Sequence, residues 1–153
     1  MSDGKILFAH KILLSDLSDV FAAMLRHGTV EDLQKVIKVE DIKYEVMFEV
    51  VRFIYTGEVC HLNKLAQELL IAADKYNLEN LKVICGEYIV RSMNIDSVVD
   101  ILILADRHNA IHLKDLATKF FIEHKINIVF TTKFENQLKN MHPKLVLYLI
   151  RLL

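Results

Sequence analysis

From Tyr44 onward, apolar residues return at helical spacing in one stripe after another, and that series limits the chain to a helix-rich fold. Val46, Met47, Val50, Val51 and Ile54 make the first stripe, and Gly57 supplies the C-cap that closes it. Leu62 to Leu70 carries the second, Leu81 to Ile89 the next, Ile95 to Leu102 another, and Leu113 to Phe121 a further one. Only four glycines and one proline interrupt the 153 residues, of which 53% are apolar and 25% charged, so neither disorder nor a loop-rich sandwich or barrel fits. A chain of this length forms one large domain or two small ones and buries roughly two thirds of the surface its unfolded form exposes.

Two of these stretches are similar to each other: LLIAADKYNLENLK (Leu69 to Lys82) and ILILADRHNAIHLK (Ile101 to Lys114) repeat at a spacing of 32 residues. In both, Ala-Asp closes a helix and Leu-Lys lies inside the next, the pattern of helical hairpins sharing one core. Two copies are fewer than a self-standing solenoid needs, so the second reads as an extension built onto the first. Near the end, MHPKLVLYLIRLL places Pro143 at a first helical position and then runs apolar on nearly every side, which predicts a helix buried against the preceding helices or against another chain.

Before Tyr44 the pattern is mixed. Asp3-Gly4 is a common two-residue hairpin turn, and KILF (Lys5 to Phe8) supplies a strand after it, but only Met1 and Ser2 lie before it. HKILLSDL (His10 to Leu17) is apolar on more than one side. Ser18 then caps a helix that carries Val20, Phe21, Met24 and Leu25 and ends at Gly28. TVEDLQK reads as a loop, and VIKV (Val36 to Val39) as a short strand of β-branched residues. With a long helical segment between them, the two strands are expected to lie parallel across a crossover. The fold class is therefore α+β, mostly helical.

Lysines and arginines number 19 against 20 aspartates and glutamates, and a net charge of −1 leaves no electrostatic footprint for nucleic acid or an anionic membrane. No apolar stretch approaches the roughly 20 residues a membrane span needs. MSDGK lacks the charged lead and apolar stretch of a secretory leader, so an intracellular protein, nuclear or cytoplasmic, is expected. Cys60 and Cys85 then read as small core side chains in a reducing compartment.

Candidate chemistry is sparse. His108 and His112 have the spacing of two zinc ligands on one helix, but Asn109 breaks the helix between them and the HExxH pattern is absent, so they read as solvated turn residues. Cys60 and His61 are sequence neighbours that point apart, with no third residue evident to orient the imidazole. Gly57 in YTGEV lacks the GK[ST] continuation of a phosphate loop. His10, at a strand-to-helix junction, reads as a hydrogen-bonded structural residue. With no catalytic residue, cofactor site or metal site, interaction with other proteins is the expected activity.

Taken in order, FAHKILLSDLSDVFAAML, FIYTGEV, AADKYNLENLK and ILILADRHN resemble the BTB (POZ) family, and within it the speckle-type POZ protein and TD and POZ domain-containing group, from Phe8 to about Leu149. The resemblance implies a BTB fold, a short sheet with helical hairpins, over residues 1–92 and BACK-type (3-box) helices over residues 93–153. Family members carry a helix and a strand before the position of Asp3, so it also implies that both are missing here and that no MATH domain precedes the chain. The implied function is a noncatalytic adaptor that binds the N-terminal domain of cullin-3 in a RING ubiquitin ligase, without its own substrate-capture domain. The alternative is a BTB dimerisation scaffold or competitor that binds cullin-3 weakly or not at all.

The same resemblance assigns residues. The family's hydrophobic-x-Glu motif aligns on Thr29-Val30-Glu31, with threonine where a large apolar residue is usual, and a register moved by one gives Val30-Glu31-Asp32. Leu25 and Tyr76 complete the implied cullin-binding set. Dimerisation, as a homodimer or with other BTB proteins, is implied around Ile12, Leu13 and Leu17. The tyrosine through which speckle-type relatives oligomerise in the last BACK helix aligns on Ile150, which keeps apolar surface but loses the hydroxyl.

Overall fold

The computed structural model describes residues 5–27, 29–139 and 141–153. Regular structure among them is entirely helical: α1 (Lys11–Leu17), α2 (Asp19–Met24), α3 (Val30–Gln34), α4 (Tyr44–Thr56), α5 (Leu62–Lys75), α6 (Glu79–Arg91), α7 (Val98–Arg107), α8 (Ile111–Val129), α9 (Thr132–Leu138) and α10 (Pro143–Leu152). The chain divides into two compact units, residues 1–85 and 86–153, and the division falls inside α6.

In the first unit, α1 packs on α2 and α4, and α4 packs on α5. Ser18 starts α2, its hydroxyl accepting from the Phe21 N–H (3.2 Å) and donating to the Tyr76 carbonyl (2.5 Å). One side chain thus caps a helix and ties it to the end of α5. Phe21 stacks on Tyr76 with ring centroids 4.3 Å apart, and Val46, Val50, Leu69 and Leu70 close the core around α4 and α5. Gly57 ends α4 at φ 72°, a left-handed backbone that favours glycine, and its N–H reaches the Phe53 carbonyl (2.8 Å).

In the second unit, α7 packs on α8 and α9, and α8 on α9. Val98, Leu102, Leu113, Ala117, Phe121 and Leu149 are buried. The sequence echo is a repeated turn. Asn77 and Asn109 both adopt positive φ (52° and 48°); the Leu78 N–H donates to the Ala73 carbonyl (2.8 Å) and the Ala110 N–H to the Ala105 carbonyl (2.9 Å). These are the six-to-one bonds of a Schellman motif with asparagine in the left-handed position. A lysine inside the following helix then pairs with the aspartate of the preceding one, Lys82 with Asp74 (3.0 Å) and Lys114 with Asp106 (2.6 Å).

Several expectations need correction. Neither KILF nor VIKV forms a strand, and the described residues contain no sheet, so the β part of the α+β description and the parallel crossover are absent from them. A strand requires a neighbour for its ladder, and no backbone group of residues 6–9 or 36–39 bonds to another backbone group among the described residues. TVEDLQK is not a loop: Thr29 accepts from the Asp32 N–H (3.2 Å) and caps α3. The helix begun by Ser18 stops at Leu25 rather than at Gly28. Gly28 and the Asp3-Gly4 turn lie outside the described residues. α10 does begin at Pro143, but it is buried on one side only, through Leu145 and Leu149, while Leu147 and Ile150 are exposed.

Candidate protein-interaction site

The start of α1 is held from two directions. The His10 backbone N–H donates to the Tyr55 hydroxyl (2.7 Å), and the same hydroxyl is hydrogen-bonded to His10 Nδ1 (2.6 Å). Lys11 bonds Asp32 and so links α1 to α3. Held this way, α1 buries Leu14 and turns Ile12 (80% exposed), Leu13 and Leu17 outward. The three residues assigned to dimerisation therefore form exposed apolar surface on one short helix.

Beside α1 lies a groove of about 530 Å³ lined by residues 5–9 and 35–38, by Leu14 and Leu25, and by Glu31 and Asp32 of α3. Of the five residues assigned to cullin binding, Leu25 and Glu31 meet here. Val30 is 63% exposed on α3, with Leu33 exposed on the same helix. Thr29 is committed to the backbone: besides capping α3, its hydroxyl lies 2.6 Å from the Met24 carbonyl and 2.8 Å from that of Arg26. Tyr76 is 1% exposed beneath Phe21 and offers no surface to a partner in this structure; burial, with Asp41 nearby, pushes its phenol up to about 12.

Sequence reasoning passed over the charge around this groove. Lys5, Lys11, Lys35 and Lys38 line it against two carboxylates, and the signal was legible in KILFAHK and KVIK, where lysines bracket the apolar residues. It also passed over Glu49, a buried carboxylate on α4 that accepts from the Cys60 N–H (2.9 Å) and the His61 Nδ1–H (2.6 Å). The imidazole thus has an orienting partner, but no hydrogen bond joins it to the Cys60 thiol, so the arrangement ties a turn to α4 and activates no nucleophile. Cys60 is exposed rather than in the core, Cys85 is buried with its thiol pushed up to about 12, and both are free. His108 and His112 flank the Asn109 turn, and no three His, Cys, Asp or Glu side chains among the described residues gather as a metal site would require. None of the described helices is long and apolar enough to cross a membrane.

A family model for the BTB/POZ domain matches residues 1–93. The chain belongs to the BTB/POZ family. BTB/POZ domains are protein-interaction modules, generally noncatalytic, that dimerise and recruit partners. The exposed apolar face of α1 and the groove beside α3 both lie within the matched BTB/POZ residues.

Proposed function

We propose that the chain is a noncatalytic adaptor for a cullin-3 RING ubiquitin ligase, of the speckle-type POZ protein and TD and POZ domain-containing kind, with BACK-type helices after its BTB domain. The observation that carries this reading is the short helix α3, which offers exposed Val30 and Leu33 beside half-buried Glu31 at the edge of a groove lined by Leu25. That is apolar surface directly flanking an acid, whereas the hydrophobic-x-Glu motif sets its apolar residue two positions before the glutamate, where Thr29 stands. In this reading Val30 and Leu33 supply the anchor, because the Thr29 hydroxyl is occupied as the helix cap. Such a protein works in an intracellular compartment, nuclear or cytoplasmic.

Calorimetric titration with the cullin-3 N-terminal domain tests it. Submicromolar one-to-one binding is expected, and replacing Val30 and Glu31 together by lysine should weaken it at least a hundredfold, since truncating a central anchor typically costs about 2 kcal/mol or more and adding like charge costs further. No heat of binding from a sample with full helical circular dichroism, or unchanged affinity in the double variant, would overturn it.

A second reading rests on Ile12, Leu13 and Leu17: a dimerising scaffold or competitor that pairs with other BTB chains and engages cullin-3 weakly or not at all. Ile150, 56% exposed on α10, offers a further apolar contact for oligomers. Multi-angle light scattering of the chain alone and with a second BTB protein separates this from the adaptor reading. A strictly monomeric chain that forms no mixed species would sink it.

A further inference from the structure

We infer that the outer face of α8 pairs antiparallel with the same face of a second copy of this chain. Leu113, Ala117, Phe121 and Ile128 turn one side of this 19-residue helix inward. On the opposite side Ile111 (74% exposed), Ile122 (42%), Ile126 (70%) and Phe130 (86%) all stand outward. At about 100° of turn per residue, these four fall within a sector of about 120° that also holds exposed Lys119 and Glu123. Lys119 and Glu123 make no ion pair among the described residues. Their order along the helix selects the occupant. A two-fold axis near residue 121 sets Lys119 level with the partner's Glu123, and by symmetry the same contact forms twice. It also brings Ile111 to the partner's Phe130 at each end and the two copies of Ile122 together near the axis. A parallel copy would set lysine on lysine and glutamate on glutamate, so charge makes the face complementary to itself in the antiparallel orientation. Four apolar side chains on one helix fall short of the roughly 800 Å² per partner of a standard interface, which makes this a weak contact that forms at high local concentration.

This pairing uses neither α1 nor Ile150, and its test removes both. The chain carrying Ile12→Ser, Leu17→Ser and Ile150→Ser, all at exposed positions, is followed by sedimentation equilibrium up to about 0.3 mM, a range that reaches weak contacts. A concentration-dependent dimer is expected. Lys119→Glu alone, or Glu123→Lys alone, should weaken it about fivefold or more, because two attractive contacts turn repulsive at once. Combining Lys119→Glu with Glu123→Lys should restore the parent affinity, and the two single variants, mixed, should pair with each other. Ile126→Ser with Phe130→Ser should leave a monomer. All four positions are exposed, so each variant should keep its helical circular dichroism, which is checked first. A folded chain that stays monomeric over the whole range overturns the proposal. Single charge variants that dimerise as well as the parent also overturn it, because apolar adhesion in some other orientation would then suffice. A double charge variant as weak as the single ones removes the pairing of Lys119 with the partner's Glu123, and with it the antiparallel assignment.

Discussion

Glu49 lies on the face of α4 that also carries Val46, Val50 and Phe53, and at 1% exposure it is a carboxylate in a place where an ion survives only with full hydrogen bonding. Burial alone would raise its pKa. The Cys60 N–H, the His61 ring and the Arg52 charge more than offset that, so the carboxyl is held below its ordinary value of 4.5. The sign follows: a depressed folded pKa means that the stabilisation is fully present above about 4.5 and is lost as pH falls through the lower folded value. Glu49→Gln should therefore destabilise the chain at neutral pH by about 1–3 kcal/mol, through two weakened hydrogen bonds, and should flatten the loss of stability between neutral and acid pH. Urea denaturation at pH 7 and pH 4 reads both effects, and a variant as acid-sensitive as the parent would show that other carboxylates govern the response. Sequence alone hid this residue because glutamate at that position looks like part of a polar face. Its offsets of three from Val46 and four from Phe53 were the available sign that it points inward.

At the scale of elements, α4 to α8 were legible because a helix is specified by local periodicity and by caps such as Gly57 that act within a few residues. The two expected strands were read from a turn dipeptide and from β-branched composition, and a strand is made by a backbone ladder that residues 6–9 and 36–39 do not form among the described residues. α3 was missed although Thr29 and Asp32 have the spacing of a capping box. The repeat was legible as similarity, but its cause is the turn it builds. Asn109 has φ 48°, a conformation that costs most residues about 1–2 kcal/mol. Thermal unfolding should show Asn109→Gly equal to or above the parent and Asn109→Val about 1–2 kcal/mol below it; equal midpoints for both would mean that the turn relaxes. Gly86 gives a second test of packing. It sits inside α6, where alanine would favour the helix by about 1 kcal/mol, yet a Cβ there would lie 3.3 Å from Leu113 Cβ, an atom held by the backbone of α8. A net loss of about 1 kcal/mol is expected for Gly86→Ala from overpacking, and a stabilised variant would show that α8 yields at that contact.

For the whole molecule, charge and apolar exposure have to be weighed together. The sequence pI of about 6.6 leaves little long-range repulsion near neutral pH. The apolar surface that repulsion would keep apart is substantial in each unit: Ile6, Phe8 and Ile12 in the first, Ile111, Ile126 and Phe130 in the second, all at least 70% exposed. A BTB/POZ chain is built to bring protein surfaces together, and near its pI the cheapest available contact is burial of these side chains against another molecule. Self-association should therefore rise as pH approaches about 6.6 and persist or strengthen with added salt, whereas association through surface ion pairs would weaken as salt screens them. Substituting serine at Phe8, Ile12 and Leu17 tests the first unit, and at Ile111, Ile126 and Phe130 the second. Because all six side chains are at least half exposed, either set should leave the thermal midpoint within about 1 kcal/mol of the parent. If the family's pairing surface governs, sedimentation velocity will show the first set dissociating the chain while the second leaves it associated. The reverse pattern would move the assembly surface to α8, and dissociation by salt alone would make the apolar faces irrelevant to it.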